Sequence, residues 1–489
     1  MSIALTSLLP FWQGADARIT DLTLDSRKVG PGCLFVAVPG AQQDGRDFIL
    51  QAVERGAAAV AFECADGFEP PAVEHAACVF LPVAGLAAQV SAIAGRFYHQ
   101  PDRELGVIGI TGTNGKTSVS QMLAQALNRL DQPCGVIGTL GSGLLDQLQT
   151  HGMTTPDAIS VQRQLAQMHA DGARWVSMEV SSHALDQARV AAIDFTLAIF
   201  TNLSRDHLDY HGDMSNYAAA KARLFARPLK AAVVNADDPA AARMLLDCTA
   251  PVIRFSQQGP GVELFAADVT QDADGLHARL CYQSQSYPLH SPLLGRFNLS
   301  NLLAVGAGLL ALGVKPEQAL GLLSGLQAPA GRMQRFGGAG QPLVVVDYAH
   351  TPDALTQVLA GLRAHTSGRL VCVFGCGGDR DRGKRPLMAR AVEEQADALV
   401  LTDDNPRTEP SAQIIADMRA GLQQPDQAVA ITPRSLAIQQ TIARASVSDV
   451  ILLAGKGHED YQEIHGVRHP YSDLQEAANG LATWRAAHA

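Results

Sequence analysis

Nowhere does the sequence hold the run of about 20 uninterrupted apolar residues that a membrane-spanning helix needs. A helical membrane protein is therefore excluded. The opening residues, Met1 to Thr20, carry no basic cluster ahead of their apolar stretch and include Asp16, so no secretory leader is expected and the protein is expected in the cytoplasm. Paired cysteines are also missing: Cys33, Cys64, Cys78, Cys134, Cys248, Cys281, Cys372 and Cys376 stand singly, without Cys-x-x-Cys or zinc-ligand spacing. Reduced, mostly buried thiols are expected. Positive charge is scarce, with 38 Lys and Arg against 48 Asp and Glu and a formal net charge of −10, which argues against nucleic acid as the main partner. Internal repeats and low-complexity tracts are lacking as well.

What remains is a globular composition, 47% hydrophobic and 18% charged over 489 residues, a length that suits about three domains or two large ones. From Gly106 onward, short β-branched or apolar runs alternate with Ala- and Leu-rich helical stretches, the pattern of parallel sheets wrapped by helices. Strands are predicted at 106–111, 175–180, 195–201 and 231–235, and helices at 118–130 and 217–225. A second such series follows the Gly/Pro-rich run 328–340, with strands at 343–347, 370–374, 398–402 and 450–454 and helices at 352–362 and 386–395. Before Gly106 a small module with strands at 33–38 and 57–62 around a helix at 48–55 is expected. The fold class is α/β in three domains: a small N-terminal module (1–99), a central P-loop ATPase-like parallel-sheet domain (100–329) and a C-terminal Rossmann-like domain (330–489), with a linker near residue 330.

The strongest local signal is Gly109-Ile-Thr-Gly-Thr-Asn-Gly-Lys-Thr-Ser118, where an apolar strand runs into a Gly-rich turn and then a helix. Its glycines let backbone N–H groups approach phosphates at a helix N-terminus, Lys116 can bridge the outer phosphates, and the Thr117 hydroxyl can reach Mg²⁺. ATP or GTP binding follows. The general pattern wants Gly at 110, where Ile110 stands. The strand at 175–180 delivers Glu179 to the ligand-facing end of a parallel sheet, which suits Mg²⁺ but equally a cap or ion pair. Asp206, His207, Asp209 and His211 crowd one loop that could contact metal or phosphate, or be a solvated polar loop. Read from the residues alone, Lys221 in its small-residue helix is an exposed surface lysine. In the last third, Asp347 and His350, the basic glycine loop 375–385, Asp404-Asn-Pro-Arg407 and Gly455-Lys-Gly-His-Glu459 follow four strands whose ends would share one rim. A guanidinium there suits carboxylate recognition through its planar fork.

In order, Thr23-Leu-Asp-Ser-Arg27, Thr111-Gly-Thr-Asn-Gly-Lys-Thr117, Met178-Glu-Val-Ser-Ser-His183, Asp347-Tyr-Ala-His350, Asp404-Asn-Pro-Arg407 and Gly455-Lys-Gly-His-Glu-Asp460 resemble the Mur ligases of peptidoglycan synthesis across nearly the whole chain. Among these, the resemblance is greatest to members that handle diaminopimelate, and the family's loop accounts for Ile110. The resemblance implies an ATP-dependent ligase that joins meso-2,6-diaminopimelate to the D-glutamate γ-carboxylate of UDP-N-acetylmuramoyl-L-alanyl-D-glutamate through an acyl phosphate. It implies ATP contacts from Gly112, Thr113, Asn114, Gly115, Lys116, Thr117, Ser118, Asn298, Arg332, Asp347 and His350. For the UDP substrate it implies Leu24, Ser26, Gln42, Thr154, Thr155, Ser181, Gln187 and Arg189, and for diaminopimelate Arg380, Asp404, Asn405, Pro406, Arg407, Gly455 and Glu459. Thr117, Glu179, His207 and a CO2-derived carbamate on Lys221 are the implied Mg²⁺ ligands, with Lys116, Lys221 and His207 catalytic; a carbamate turns a cation into an anionic oxygen donor, which suits a hard ion. No nucleic acid or membrane span is expected, and a monomer is. The competing readings are a folylpolyglutamate-synthetase-like ligase, against which the 23–27 segment weighs, and a nucleotide-dependent switch without ligation.

Overall fold

The computed structural model describes residues 2–40, 43–72 and 78–488. Two compact units emerge, one from Met1–Arg254 with Ala311–Gly313 and the other from Phe255–Leu310 with Val314–Ala489.

The first unit opens with a parallel sheet in the order Asp21–Thr23, Cys33–Ala37, Ala59–Glu63, Val79–Val83. Its pleat sorts side chains by alternation. Leu34, Val36, Ala59, Ala61 and Leu81 meet Leu86, Val90, Ile93 and Phe97 of the helix Leu86–Phe97, whereas Phe35, Ala37, Val60 and Phe62 face Ile49 and Ala52 of the helix Ile49–Glu54. Each such fully buried Leu, Ile or Phe contributes roughly 1.5–3 kcal/mol relative to exposure.

A larger sheet follows in the same unit, with parallel neighbours in the order Ala231–Asn235, Phe195–Phe200, Gly106–Thr111, Trp175–Glu179, Cys134–Gly138, closed by the antiparallel Gly141–Leu144. Register decides what the sheet can do. Glu179 pairs with Ile110 and Phe200 with Thr111, so the glycine loop, the Glu179–Ser181 turn and the loop after Phe200 leave the sheet together. Helix Lys116–Arg129 starts directly from the loop, and helix Met214–Ala222 is capped by Asp213, whose carboxylate accepts from Asn216 N at 2.8 Å.

The second unit holds an antiparallel meander, Leu264–Asp272, Gly275–Tyr282 and Gln285–Ser291, and the almost wholly buried helix Arg296–Ala311. Its main sheet runs Gln334–Gly337, Leu343–Asp347, Val450–Ala454, Leu370–Phe374, Ala398–Leu401, Val429–Ala430, all parallel except the first. Buried on both faces, the strands read as continuous apolar runs: Leu343 and Val345 meet Leu355, Leu359 and Leu362 on one side, and Val344 and Val346 face Ala437, Ile438 and Ile442 on the other. Asp347 and Phe374 both pair with Ala454, and Phe374 with Leu401, so the four loops expected to share a rim do so. The strand Gln334–Gly337 lies inside the Gly/Pro-rich run, where no strand was expected. The meander and the strand Cys134–Gly138 were likewise not anticipated.

Candidate functional site

At the glycine loop, Gly112 has φ +153°, and a Cβ there would sit 2.0 Å from Thr201 Oγ1; Gly115, at φ +85°, ends the turn and opens the helix. Only glycine fits Gly112. The loop is tied to the next strand's exit by Asn202, whose Oδ1 accepts from Asn114 N at 2.9 Å and whose carbonyl accepts from Thr113 N at 2.8 Å. Lys116 Nζ folds back onto the carbonyls of Gly112 and Thr113 at 2.9 and 2.8 Å, and Ser118 follows Thr117 in the first turn of the helix.

Thr117 Oγ1 donates to Glu179 Oε2 at 3.0 Å, and Thr139 adds its N–H to Oε1 at 2.8 Å and its hydroxyl to Oε2 at 3.2 Å. Gly138 makes the space, since a Cβ on it would lie 2.2 Å from Glu179 Oε1. The result is a buried cluster of oxygen atoms beside the phosphate loop, the donor chemistry a hard divalent ion prefers.

Lys221 departs from its surface expectation. Its side chain is 1% exposed, its Nζ donates to Gly112 O at 2.8 Å and lies 4.4 Å from the centre of the Tyr217 ring. Burial, and then the charge of Lys116, push its pKa well below the usual lysine range. A small-residue helix face packed under the loop, not an exposed one, accounts for the difference: Tyr217, Ala218 and Ala220 are buried with it. CO2 adds to the unprotonated form of an amine, and burial shifts Lys221 toward that form, so Thr117, Glu179 and Lys221 fit the Mg²⁺ and carbamate that the family resemblance implies. His207 is less gathered in, about half exposed, with Nε2 3.4 Å from Asp206 and its ring 4.9 Å from that of His183. His211 turns inward to Ser182 Oγ at 2.9 Å. Among the described residues no group of three or more His, Cys, Asp or Glu is arranged to hold a metal by itself.

Thr155, Ser181, Gln187 and Arg189 form one chain of contacts. Thr155 Oγ1 donates to Glu179 O at 2.8 Å and accepts from Ser181 N at 3.0 Å, Arg189 donates to Thr155 O at 2.9 Å, and Gln187 Oε1 accepts from Arg189 Nε at 3.0 Å. Thr154 Oγ1 lies 3.1 Å from Thr139 Oγ1. Leu24 and Ser26 line a separate cavity of about 610 Å³, with Asp157, Ser160 and Arg163 on its wall; Arg163 ties that wall to Asp21 Oδ1 at 2.9 Å. Gln42 lies outside the described residues.

In the second unit, buried Asp347 accepts from Met333 N and Ala349 N, both at 2.8 Å, and burial raises its carboxyl pKa against the pull of Arg332. The Arg332 guanidinium stacks 4.7 Å from the Tyr348 ring centre, and His350 Nδ1 lies 2.8 Å from Tyr348 O. Asn298 donates to Leu294 O at 2.9 Å and accepts from Asn301 Nδ2 at 3.0 Å.

The remaining residues draw together. Gly378 N donates to Asn405 O at 2.9 Å, Arg407 Nη1 to Gly378 O at 2.7 Å, and Thr408 Oγ1 to Asp379 Oδ1 at 2.7 Å, zipping the glycine loop that carries exposed Arg380 to the Asp404–Arg407 loop. Pro406 packs against Gly378, where a Cβ would lie 1.9 Å from Pro406 O. Arg407 takes a left-handed backbone, φ +51°, and exchanges backbone bonds with Glu463 and His465 of the hairpin Tyr461–Ile464 and Val467–Pro470. Glu459 Oε2 accepts from Asn405 Nδ2 at 2.9 Å, and Gly455 approaches Asp404, with the position a Cβ would take 3.0 Å from Oδ2. Beneath them, fully buried Arg434 links Asp403 O, Ala454 O and Asp473, and Arg385 holds Glu409 and Asp417. Sequence reading gave no role to Thr139, Asn202, Tyr217, Lys456 or Glu463, although Asn202, Tyr217 and Lys456 stand inside motifs it singled out.

A phosphate loop at a parallel strand end, oxygen donors beside it, and a rim of arginines and carboxylates at the ends of a second parallel sheet define an ATP-dependent acid–amino-acid ligase. The chain belongs to the Mur ligase family: its residues 18–98 match the Mur ligase family catalytic domain, 110–309 the Mur ligase middle domain and 331–457 the Mur ligase glutamate ligase domain. It is 57% identical, over the full length of both chains, to the UDP-N-acetylmuramoyl-L-alanyl-D-glutamate–2,6-diaminopimelate ligase of Ectopseudomonas mendocina, and 54% identical, again over both full lengths, to that of Pseudomonas aeruginosa. A solved structure under the same ligase name matches all of both chains with TM-score 0.73 and 37% identity. A folylpolyglutamate synthase of Mycobacterium tuberculosis with bound ADP shares the fold, with TM-score 0.61 and 20% identity over 76% of this chain and 92% of that one. No helix among the described residues is long and apolar enough to cross a membrane.

Proposed function

We propose that the chain adds meso-2,6-diaminopimelate to the D-glutamate γ-carboxylate of UDP-N-acetylmuramoyl-L-alanyl-D-glutamate, a step of peptidoglycan precursor synthesis in the cytoplasm, and that it works as a monomer with the domain bounds 1–99, 100–329 and 330–489. The observation that carries this reading is 57% identity, end to end, to a ligase of that name, in a chain that keeps the Asp404–Arg407 loop braced on three sides.

Two steps balance the chemistry. The γ-carboxylate attacks the γ-phosphorus of ATP, forming an acyl phosphate and releasing ADP; the substrate amine then attacks the acyl carbon, a proton leaves the nitrogen, and phosphate departs. Phosphoryl transfer brings anions together, so the protein's task is alignment and charge neutralisation. The loop N–H groups and Lys116 cradle the phosphates, while Thr155, Ser181, Gln187 and Arg189 hold the acyl substrate, whose uridine end occupies the cavity at Leu24 and Ser26. Asn298, Arg332, Asp347 and His350 serve the nucleotide. Thr117, Glu179, His207 and carbamylated Lys221 would hold Mg²⁺, which when bound supplies positive charge to the transferring phosphoryl group. Arg380, Arg407 and Glu459 receive the amino acid's charged groups, and Asp404, Asn405, Pro406 and Gly455 shape their surroundings.

Phosphate release, measured with each of the three substrates omitted in turn, tests the reading. Release should require all three. Release with a reduced folate and glutamate in their place would favour the folate-type ligase whose fold this chain shares.

A further inference from the structure

Lys456 is fully buried at the exit of the strand Val450–Ala454, and the reaction as proposed gives it no task. Its ammonium donates to Glu459 Oε2 at 2.9 Å and to Asn405 Oδ1 at 3.1 Å, with Asp404 Oδ1 at 3.8 Å. Asn405 Nδ2 donates to that same Glu459 Oε2 at 2.9 Å, closing a three-membered ring of contacts. The ring centres of Tyr461 and Tyr471 lie 5.6 and 5.9 Å from the ammonium, within cation–π range. Glu459 reaches outward: its side chain is 20% exposed, against 0% for Lys456.

We propose that Lys456 is the positioning residue of the amino-acid site, holding one oxygen of Glu459 so that the other faces the substrate's ammonium. The inference rests on the ligase reading above. Lys456 cannot itself meet the substrate, because no part of its side chain reaches the surface. It acts through Glu459, whose Oε2 takes two donors and is thereby fixed, leaving Oε1 for an incoming N–H. Charge agrees with geometry. Among the described residues, Asp404 and Glu459 outnumber the one ammonium within 4 Å of them by a single negative charge, the charge that a substrate ammonium matches.

The test uses the full-length enzyme. Ligation by the parent is measured first, so a parent that does not join diaminopimelate refutes the ligase reading and is told apart from failure of this inference. Lys456→Met keeps the side chain's length and removes its charge. It should raise KM for diaminopimelate about tenfold or more, the equivalent of losing one charge-assisted contact, with the KM values for ATP and the UDP substrate within about twofold. In Glu459→Gln the same substitution should add less than about threefold, because residues acting as one unit are not additive. Lys456→Arg restores the cation and should recover part of the amine affinity; if Lys456→Met does not fold, the selective rise in amine KM must be seen in Lys456→Arg. An amine KM within twofold of the parent in a folded variant, equal rises for all three substrates, or full multiplication of the two losses in the double variant would each overturn the proposal.

Discussion

Lys116 and Lys221 donate to the same acceptor, the carbonyl of Gly112, at 2.9 and 2.8 Å. One is in the first turn after the phosphate loop and the other in a helix about a hundred residues later, and both are drawn to the peptide whose backbone only glycine can adopt. Two full positive charges on one neutral oxygen repel, and the buried member yields: Lys221 is held toward its neutral form by burial and by Lys116. On the proposed reading this arrangement separates the tasks, with Lys116 left for phosphate and Lys221, held toward its neutral form, left for CO2.

Lys116→Ala should lower ligation at least about 100-fold, the usual consequence of removing a group that stabilises developing charge. Binding of the UDP substrate, measured by calorimetry, should stay within about threefold. Ligation within tenfold of the parent would contradict the phosphate-loop assignment.

Lys221→Ala should lose most activity, and excess formate or acetate should restore part of it by placing a carboxylate where the carbamate oxygens belong. Mass spectrometry of the parent under native conditions with added bicarbonate should show a CO2 adduct that the variant lacks. A fully active Lys221→Ala enzyme would mean that its burial serves packing alone.

Arg407 should govern the choice between diaminopimelate and lysine, which lacks the second carboxylate. Its guanidinium is not left bare without that carboxylate, since Glu463 Oε2 lies 3.4 Å from Nε. Arg407→Ala should lower kcat/KM for diaminopimelate about 100-fold and for lysine less than about threefold, the asymmetry expected when a site is built around one polar contact. Glu463→Gln, which removes the internal competitor, should widen the preference for diaminopimelate. Equal proportional losses for both amino acids in Arg407→Ala would show that Arg407 does not read the second carboxylate.

Glu409 gives a pH signature. Paired with both terminal nitrogens of buried Arg385 and with Asp379 N, it is held down to a pKa of about 2 from an ordinary 4.5. A carboxylate with a depressed folded-state pKa contributes its stability above the unfolded value and loses it as pH falls. The thermal midpoint of the parent should therefore exceed that of Glu409→Gln above about pH 4.5, and the gap should close as pH falls toward 2. A gap that is constant across that window would argue against the Arg385–Glu409 pair as its source.

The strands were legible because the parallel sheets are buried on both faces, which leaves short runs such as 343–346 and Leu370–Phe374 apolar throughout between glycine- or proline-marked turns. The glycine loop was legible for a related reason: φ and space at Gly112 admit nothing else. Cys134–Gly138 was missed because two of its five residues are glycine, which weakens a strand signal, although it seats Thr139 and Glu179. Lys221 was misread because helix Met214–Ala222 has small residues on every side, and no periodicity in it tells a buried lysine from an exposed one. Its role entered through resemblance, and its burial only through the structure. The pairing of Arg407 with Glu463 depends on a hairpin that comes more than fifty residues later, a contact no local pattern encodes.

The decisive measurement is to incubate the protein with ATP, Mg²⁺ and UDP-N-acetylmuramoyl-L-alanyl-D-glutamate together with either diaminopimelate or lysine, and to weigh the product by mass spectrometry. A diaminopimelate ligase should give a product heavier by one diaminopimelate less one water, with ADP and phosphate formed in equal amounts and little product from lysine. Phosphate release without that product, or lysine joined as readily as diaminopimelate, would contradict that reading.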